Sequence, residues 1–179
     1  FANHPLGKSV LGTRESITAL TSEQMRAYHA DRYKAGNITL AVTGNTDFDT
    51  LIKLIEKHCS SIPAGTCDRD LPDVFATEKT EMITRESSVQ QHVMQMGQAP
   101  KGKDSLRFAA ELLGIVVGDD SGSRLFWDVV DPGHADSAEL SYNEYDGAGT
   151  WMTYLSCAPE DVAANIARMK TVFEEVNKN

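Results

Sequence analysis

Apolar residues recur along this chain in two rhythms, one helical and one β-like, broken by clusters of Gly, Pro and Asp. Thr21 with Gln24 three residues on is a capping box. It opens a helix through about Tyr33 whose one face carries Met25, Tyr28, His29 and Arg32. Residues 37–44 are β-rich and nearly all apolar, the pattern of a strand buried on both faces. Asp47 then caps a helix with Phe48, Leu51, Ile52, Ile55, Cys59 and Ile62 at the helical period, stopped by Pro63 and Gly65. Strands are predicted at 78–85 and 89–97. Asp104 is read as the cap of a helix to about Val117 that is apolar on most sides. Ser123 to Val130 reads as a short helix ended by Pro132-Gly133. Strands at 138–145 and 148–157 flank Asp146-Gly147, a two-residue hairpin signal. Pro159 opens a last helix with Val162, Ile166, Met169, Phe173 and Val176 on one stripe.

Composition narrows the class. The chain has 179 residues, 41% hydrophobic and 24% charged, with a formal net charge of −9. That is ordinary for a globular protein with a proper core. No apolar run approaches the roughly 20 residues of a membrane span, and an excess of acid argues against binding nucleic acid through phosphates. The charge is uneven: residues 1–63 are nearly balanced, and almost all the negative charge lies after Ile62-Pro63. This shift predicts two structural units. Cys59, Cys67 and Cys157 have no metal-like spacing and read as free thiols, which favours a reducing compartment such as the cytoplasm. A start at Phe1-Ala2-Asn3-His4-Pro5 reads as the interior of a longer protein, so the expectation is a fragment.

A set of short motifs runs through the chain in order. His4-Pro5-Leu6-Gly7 leads to Gly12-Thr13 and Glu15-Ser16-Ile17, then Tyr33, Asn37, Thr39-Leu40-Ala41-Val42 and Gly44-Asn45. Gln91-His92, Ala99-Pro100 and Ser121-Gly122-Ser123-Arg124-Leu125-Phe126 follow, then Gly133-His134-Ala135 and Tyr145-Asp146-Gly147-Ala148-Gly149. In this order and spacing the chain resembles the insulinase/pitrilysin-type zinc peptidases, the group that includes mitochondrial processing peptidase. The resemblance implies an α+β fold, an open and mainly antiparallel sheet with helices packed on it. It implies that residues 1–63 are the C-terminal part of a first, zinc-bearing domain. Residues 64–73 would be a linker, and residues 74–179 the N-terminal part of a second domain without metal.

Peptidases of this kind close as a clamshell around an extended peptide. Their zinc sits on an inverted His-x-x-Glu-His motif and a distal Glu, leaving a position for the attacking water. This chain lacks the motif; Leu54-Ile55-Glu56-Lys57-His58 only superficially matches it, and His4, His29, His58, His92 and His134 stand singly. The resemblance places the zinc ligands upstream of His4-Pro5-Leu6-Gly7. Zinc is therefore expected in the full-length protein and not on this chain, which should be inactive alone.

The second domain of a partner half or subunit often carries an Arg and a Tyr seven apart, one to hold substrate and one to donate to the oxyanion. Aligned on Ser123-Arg124-Leu125-Phe126, those places hold Val130 and Asp136, with one residue deleted around Pro132. No catalytic residue is then expected here, and the pair would come from the partner. The alternative is a non-catalytic subunit or peptide-binding scaffold of the same fold. For peptide contact the candidates are Asp136, Tyr142 and Tyr145. Eight acids between Asp119 and Asp146, with Arg124 the one Lys or Arg among them, would favour basic peptides if they line the chamber. Strand 37–44, apolar on both faces, invites pairing with a second copy, so a homodimer or segment swap is expected.

Overall fold

A computed structural model describes residues 1, 4–68 and 77–176. It has two compact units, Leu6–Asp70 on the one hand and Leu71–Asn179 with Phe1–Pro5 on the other. Of the expected linker, residues 69–73 lie outside the described residues, as does the expected start of the second domain at residue 74.

The unit Leu6–Asp70 is built from α1 (Arg14–Thr18), α2 (Ser22–Arg32) and α3 (Phe48–Cys59). The Thr21–Gln24 box forms as read: the Gln24 amide donates to Thr21 Oγ1 at 3.3 Å and the Thr21 amide to Gln24 Oε1 at 2.9 Å. A second box, Thr13 with Ser16, opens α1. Asp47 caps α3 by accepting the Thr50 amide at 2.7 Å, which holds its carboxyl below the ordinary aspartate range. Along α3, Leu51, Ile55, Cys59 and, just past its end, Ile62 form a half-buried stripe. No described residue of this unit is fully buried. Gly36 lies against the backbone of Gly65, to whose carbonyl its amide donates at 2.9 Å, too close for a side chain at that position.

Residues 37–44 correct the sequence reading. Ile38 is extended (φ −119°, ψ 126°), yet no ladder forms there among the described residues, and Ile38, Leu40 and Val42 are exposed. A strand needs a neighbour to satisfy its amides and carbonyls, and this unit supplies none to that segment. The strand expected at 78–85 likewise does not form; Met82 and Ile83 stand exposed.

The second unit contains β1 (Gln91–Ala99), α4 (Arg107–Gly118), β2 (Ser137–Glu144), β3 (Gly149–Cys157) and α5 (Val162–Val176). The three strands make one open antiparallel sheet in the order β1-β3-β2, with Gln91 opposite Cys157 and Glu144 opposite Gly149. Strand period puts Val93, Ala138, Leu140, Leu155 and Cys157 on one face, and the helices cover that face. With Val117, Leu125, Val129, Ala135, Met169 and Val172 they form the core. The hairpin closes as read, the Tyr145 amide donating to the Ala148 carbonyl at 2.8 Å across Asp146-Gly147.

Local chemistry differs from the sequence expectation in two places. Asp104 sits two residues before the helical cap and receives the Leu106 amide at 2.9 Å, so it braces the approach to α4 rather than capping it. The short helix after Ser123 tightens into a π-type turn at Phe126–Val130, and its end, Asp131, donates back to Phe126 O at 2.8 Å. Within that turn, Trp127 is exposed and meets Phe126 edge-on at 5.2 Å.

Helix α4 lies against β2 through its two glycines. A methyl on Gly118 would land on the Leu140 backbone, and one on Gly114 would sit 3.6 Å from the Tyr142 nitrogen. The buried face of α4 is Ala110, Gly114, Val117 and Gly118; its other side shows Phe108, Leu112, Ile115 and Val116 to solvent. Leu155, at the centre of β3, is 1% exposed. Leu155→Ala should lower the stability of this unit by about 2–5 kcal/mol, read by urea unfolding under circular dichroism. A loss below 1 kcal/mol would mean that Leu155 is not in the core.

Candidate functional site

The residues singled out from sequence fall at three places on the second unit. Val130 is half-buried against the core, at the end of the π-type turn, and its carbonyl accepts the Gly133 amide at 2.9 Å. Asp136 immediately precedes β2. Its amide donates to the Ser156 carbonyl at 2.9 Å, and its carboxylate accepts from Gln90 Nε2. Gln90 Oε1 in turn accepts from Ser156 Oγ at 3.0 Å, so Asp136 belongs to a small polar network at the start of β1 and β2.

Tyr142 and Tyr145 stand at the other end of β2. Tyr142 faces the helices, opposite Trp151 on β3, with ring centroids 5.5 Å apart. Its hydroxyl donates to the Pro100 carbonyl at 2.7 Å. The Tyr145 carbonyl accepts the Gly102 amide at 2.9 Å, and Arg107 Nη1 donates to the Gly102 carbonyl at 2.5 Å. These bonds tie the loop after β1 to the hairpin. The Tyr145 ring itself is exposed. The structure thus gathers Tyr142 and Tyr145 at the hairpin end, and leaves Val130 and Asp136 at the other.

Tyr142 titrates above the ordinary tyrosine range. Loss of hydration raises its pKa above the usual 10.0; Glu144, Asp104 and Glu111 add to the rise, and Arg107 opposes it.

Between α4, α5 and the sheet runs an open groove of about 380 Å³. Leu113, Val117, Leu140, Trp151, Phe173 and Val176 make it apolar, and Gln95 and Thr153 form its polar floor. The sequence reading did not name it. The available signal was Gln95, Gly97 and Thr153 at positions where strand alternation calls for large apolar residues.

Zinc does not fit the described residues. They contain no cluster of three His, Cys, Asp or Glu able to hold a metal ion. His29 stacks on Tyr33 at 4.1 Å, and His92 Nδ1 is within 2.9 Å of Tyr154 Oη. All three cysteines are free thiols, with Cys67 Sγ accepting from Arg32 Nη1 at 2.9 Å. No helix among the described residues is long and apolar enough to cross a membrane.

The fold defines the class: an open antiparallel sheet with helices laid on one face. Residues 19–179 match the family model described as the peptidase M16 inactive domain, and the chain belongs to that family. It is 28% identical over 166 residues to an uncharacterized zinc protease of Mycobacterium leprae, covering 89% of this chain and 37% of that protein. It is 29% identical over 89 residues to the mitochondrial-processing peptidase subunit beta of Lentinula edodes, covering 50% of this chain and 19% of that subunit. The crystal structure of a peptidase M16 inactive domain from Pseudomonas fluorescens superposes with a TM-score of 0.88 at 22% identity, over 100% of this chain and 44% of that one. The chain spans about two fifths of the length of the first curated relatives it matches.

Because its raised pKa disfavours the phenolate in the fold, Tyr142 leaves stability intact below pH 10. Stability then falls as pH rises from there through the folded-state value. Tyr142→Phe should lose less stability than the native chain between pH 9 and 11, measured by urea midpoints. Parallel curves for the two proteins would remove Tyr142 as the cause.

Proposed function

We propose that this chain is the non-catalytic portion of a zinc-dependent endopeptidase that cleaves extended peptides in a clamshell chamber, and that it is inactive alone. The family match over residues 19–179, to a domain described as inactive, carries the reading. The site chemistry supports it. At the places where an Arg and a Tyr would serve substrate and oxyanion, Val130 offers no charge or proton, and the Asp136 carboxylate is engaged by Gln90. In this reading the zinc, its ligands and the Arg/Tyr pair belong to the rest of the protein or to a partner half or subunit of the family. Residues 1–63 complete the zinc-bearing domain, and residues 74–179 begin the second.

Peptide contact is assigned to Asp136 and Tyr145, which are exposed at opposite ends of β2; Tyr142 is half-buried, its hydroxyl spent on Pro100. The acids from Asp119 to Asp146 would draw basic peptides through the local field. Zinc content and cleavage of a fluorogenic peptide, measured on this chain and on the whole protein, test the reading together. The whole protein should cleave in a chelator-sensitive way and favour Lys/Arg-rich over Asp/Glu-rich peptides at low salt. The chain alone should hold no stoichiometric zinc and show no cleavage. A whole protein that binds no zinc and cleaves nothing would overturn the peptidase and leave a scaffold of the same fold.

The exposed apolar side of α4, with the unladdered segment 37–44, is surface that the rest of the protein would cover. On its own, the chain should self-associate in a concentration-dependent way by light scattering. A monomer at every concentration would count against that reading of these surfaces.

A further inference from the structure

The sheet face turned away from α4 and α5 carries a row of methionines that neither the core nor the proposed peptidase role uses, Met96 also bordering the groove beside the helices. Strand alternation places His92, Met94, Met96 and Gln98 of β1 on that face. On β3 it places Thr150, Met152, Tyr154 and Ser156 there, and on β2 Ser137, Glu139, Ser141 and Asn143. Met96 is the direct cross-strand partner of Met152, and Met94 is one position along, opposite Tyr154. Facing side chains on neighbouring strands stand about 4.5–5.5 Å apart at Cβ, and diagonal ones about 7–8 Å, within reach of long flexible side chains. Three unbranched thioethers therefore converge on one patch. Met94 and Met96 are 59% and 57% exposed, and neither belongs to the core.

Thioether sulfur is a neutral, soft, polarisable donor that selects monovalent soft cations and binds zinc, magnesium or calcium poorly. Among the strand residues of this face there is no Lys or Arg to repel a cation, and Glu139 on β2 adds negative charge one strand from Met152. His92 closes the row with Nδ1 bonded to Tyr154 Oη, outside the sulfur set. From this arrangement we infer that Met94, Met96 and Met152 form a three-sulfur site for a soft monovalent cation, cuprous copper or silver. The site is independent of the zinc chemistry assigned to the rest of the protein.

Silver nitrate titrated into the full chain with methyl-labelled methionine tests this, Ag(I) serving as the redox-stable probe. Cys59→Ser and Cys67→Ser remove the accessible thiols, which would compete. The Met94, Met96 and Met152 methyl resonances should shift together and saturate near one equivalent. Met25 and Met82, exposed thioethers without sulfur neighbours on a strand face, should stay in place. Met96→Leu, at a surface position that keeps the fold, should weaken binding about tenfold or more. Uniform shifts at all exposed methionines, or no shift, would overturn the site. So would undiminished affinity in Met96→Leu, or a shift confined to Met169, which shares the core with Cys157 and would report capture by that thiol.

Discussion

The close approach of α4 to β2 is the constraint on which the second unit rests. Gly118, where an added methyl would strike the Leu140 backbone, removes the side chain that would hold the helix off the strand; one turn earlier, Gly114 lies at ordinary contact distance from Tyr142. At Gly118 the helix backbone lies nearly on Leu140, and the neighbouring Val117 is part of the core. The core residues of β3 and α5 pack around that contact. Gly114, inside the helix, costs roughly 0.5–1 kcal/mol of helix stability relative to alanine. At Gly118, the last residue of the helix, the contact leaves no room for a side chain.

The same contact explains why the two sides of α4 differ so sharply. A helix apolar all round is a helix meant to be enclosed. Here one side is enclosed and the other, Phe108, Leu112, Ile115 and Val116, is not. The groove beside it is a second surface of the same kind, apolar walls with a polar floor of Gln95 and Thr153. Both belong to a chain that spans about two fifths of its relatives' length.

Much of the second unit was legible because its signals are local. Asp146-Gly147 dictates the hairpin, Pro159 the entry to the last helix, and strand-type composition along 89–97 and 148–157 the two strands. Legibility failed where structure depends on a distant neighbour. Residues 37–44 and 78–85 have strand composition, but a ladder is made by two segments and composition describes only one. Asp104 looked like a cap because caps are read from residue type, whereas the helix begins where the Leu106 backbone turns. Of the candidate site residues, sequence could propose Tyr142 and Tyr145 but not that one hydroxyl is taken up by Pro100 and the other ring left free. The groove escaped because its signal is an exception to alternation, visible only once the strand register is known.

The strand order β1-β3-β2 sets an order of assembly. β2 and β3 are neighbours in sequence and close through a two-residue turn, a step of microseconds. β1 joins β3 only across about fifty residues that include α4, and closing such a loop must be offset by contacts made beforehand. The hairpin and α4, already joined through Gly114 and Gly118, are the surface on which β1 lands. During synthesis β1 leaves the ribosome first and pairs last, and its nine residues from Gln91 to Ala99 contain no Pro, Lys or Arg to discourage other partners. The interval in which that strand waits is when this chain is most exposed to mispairing.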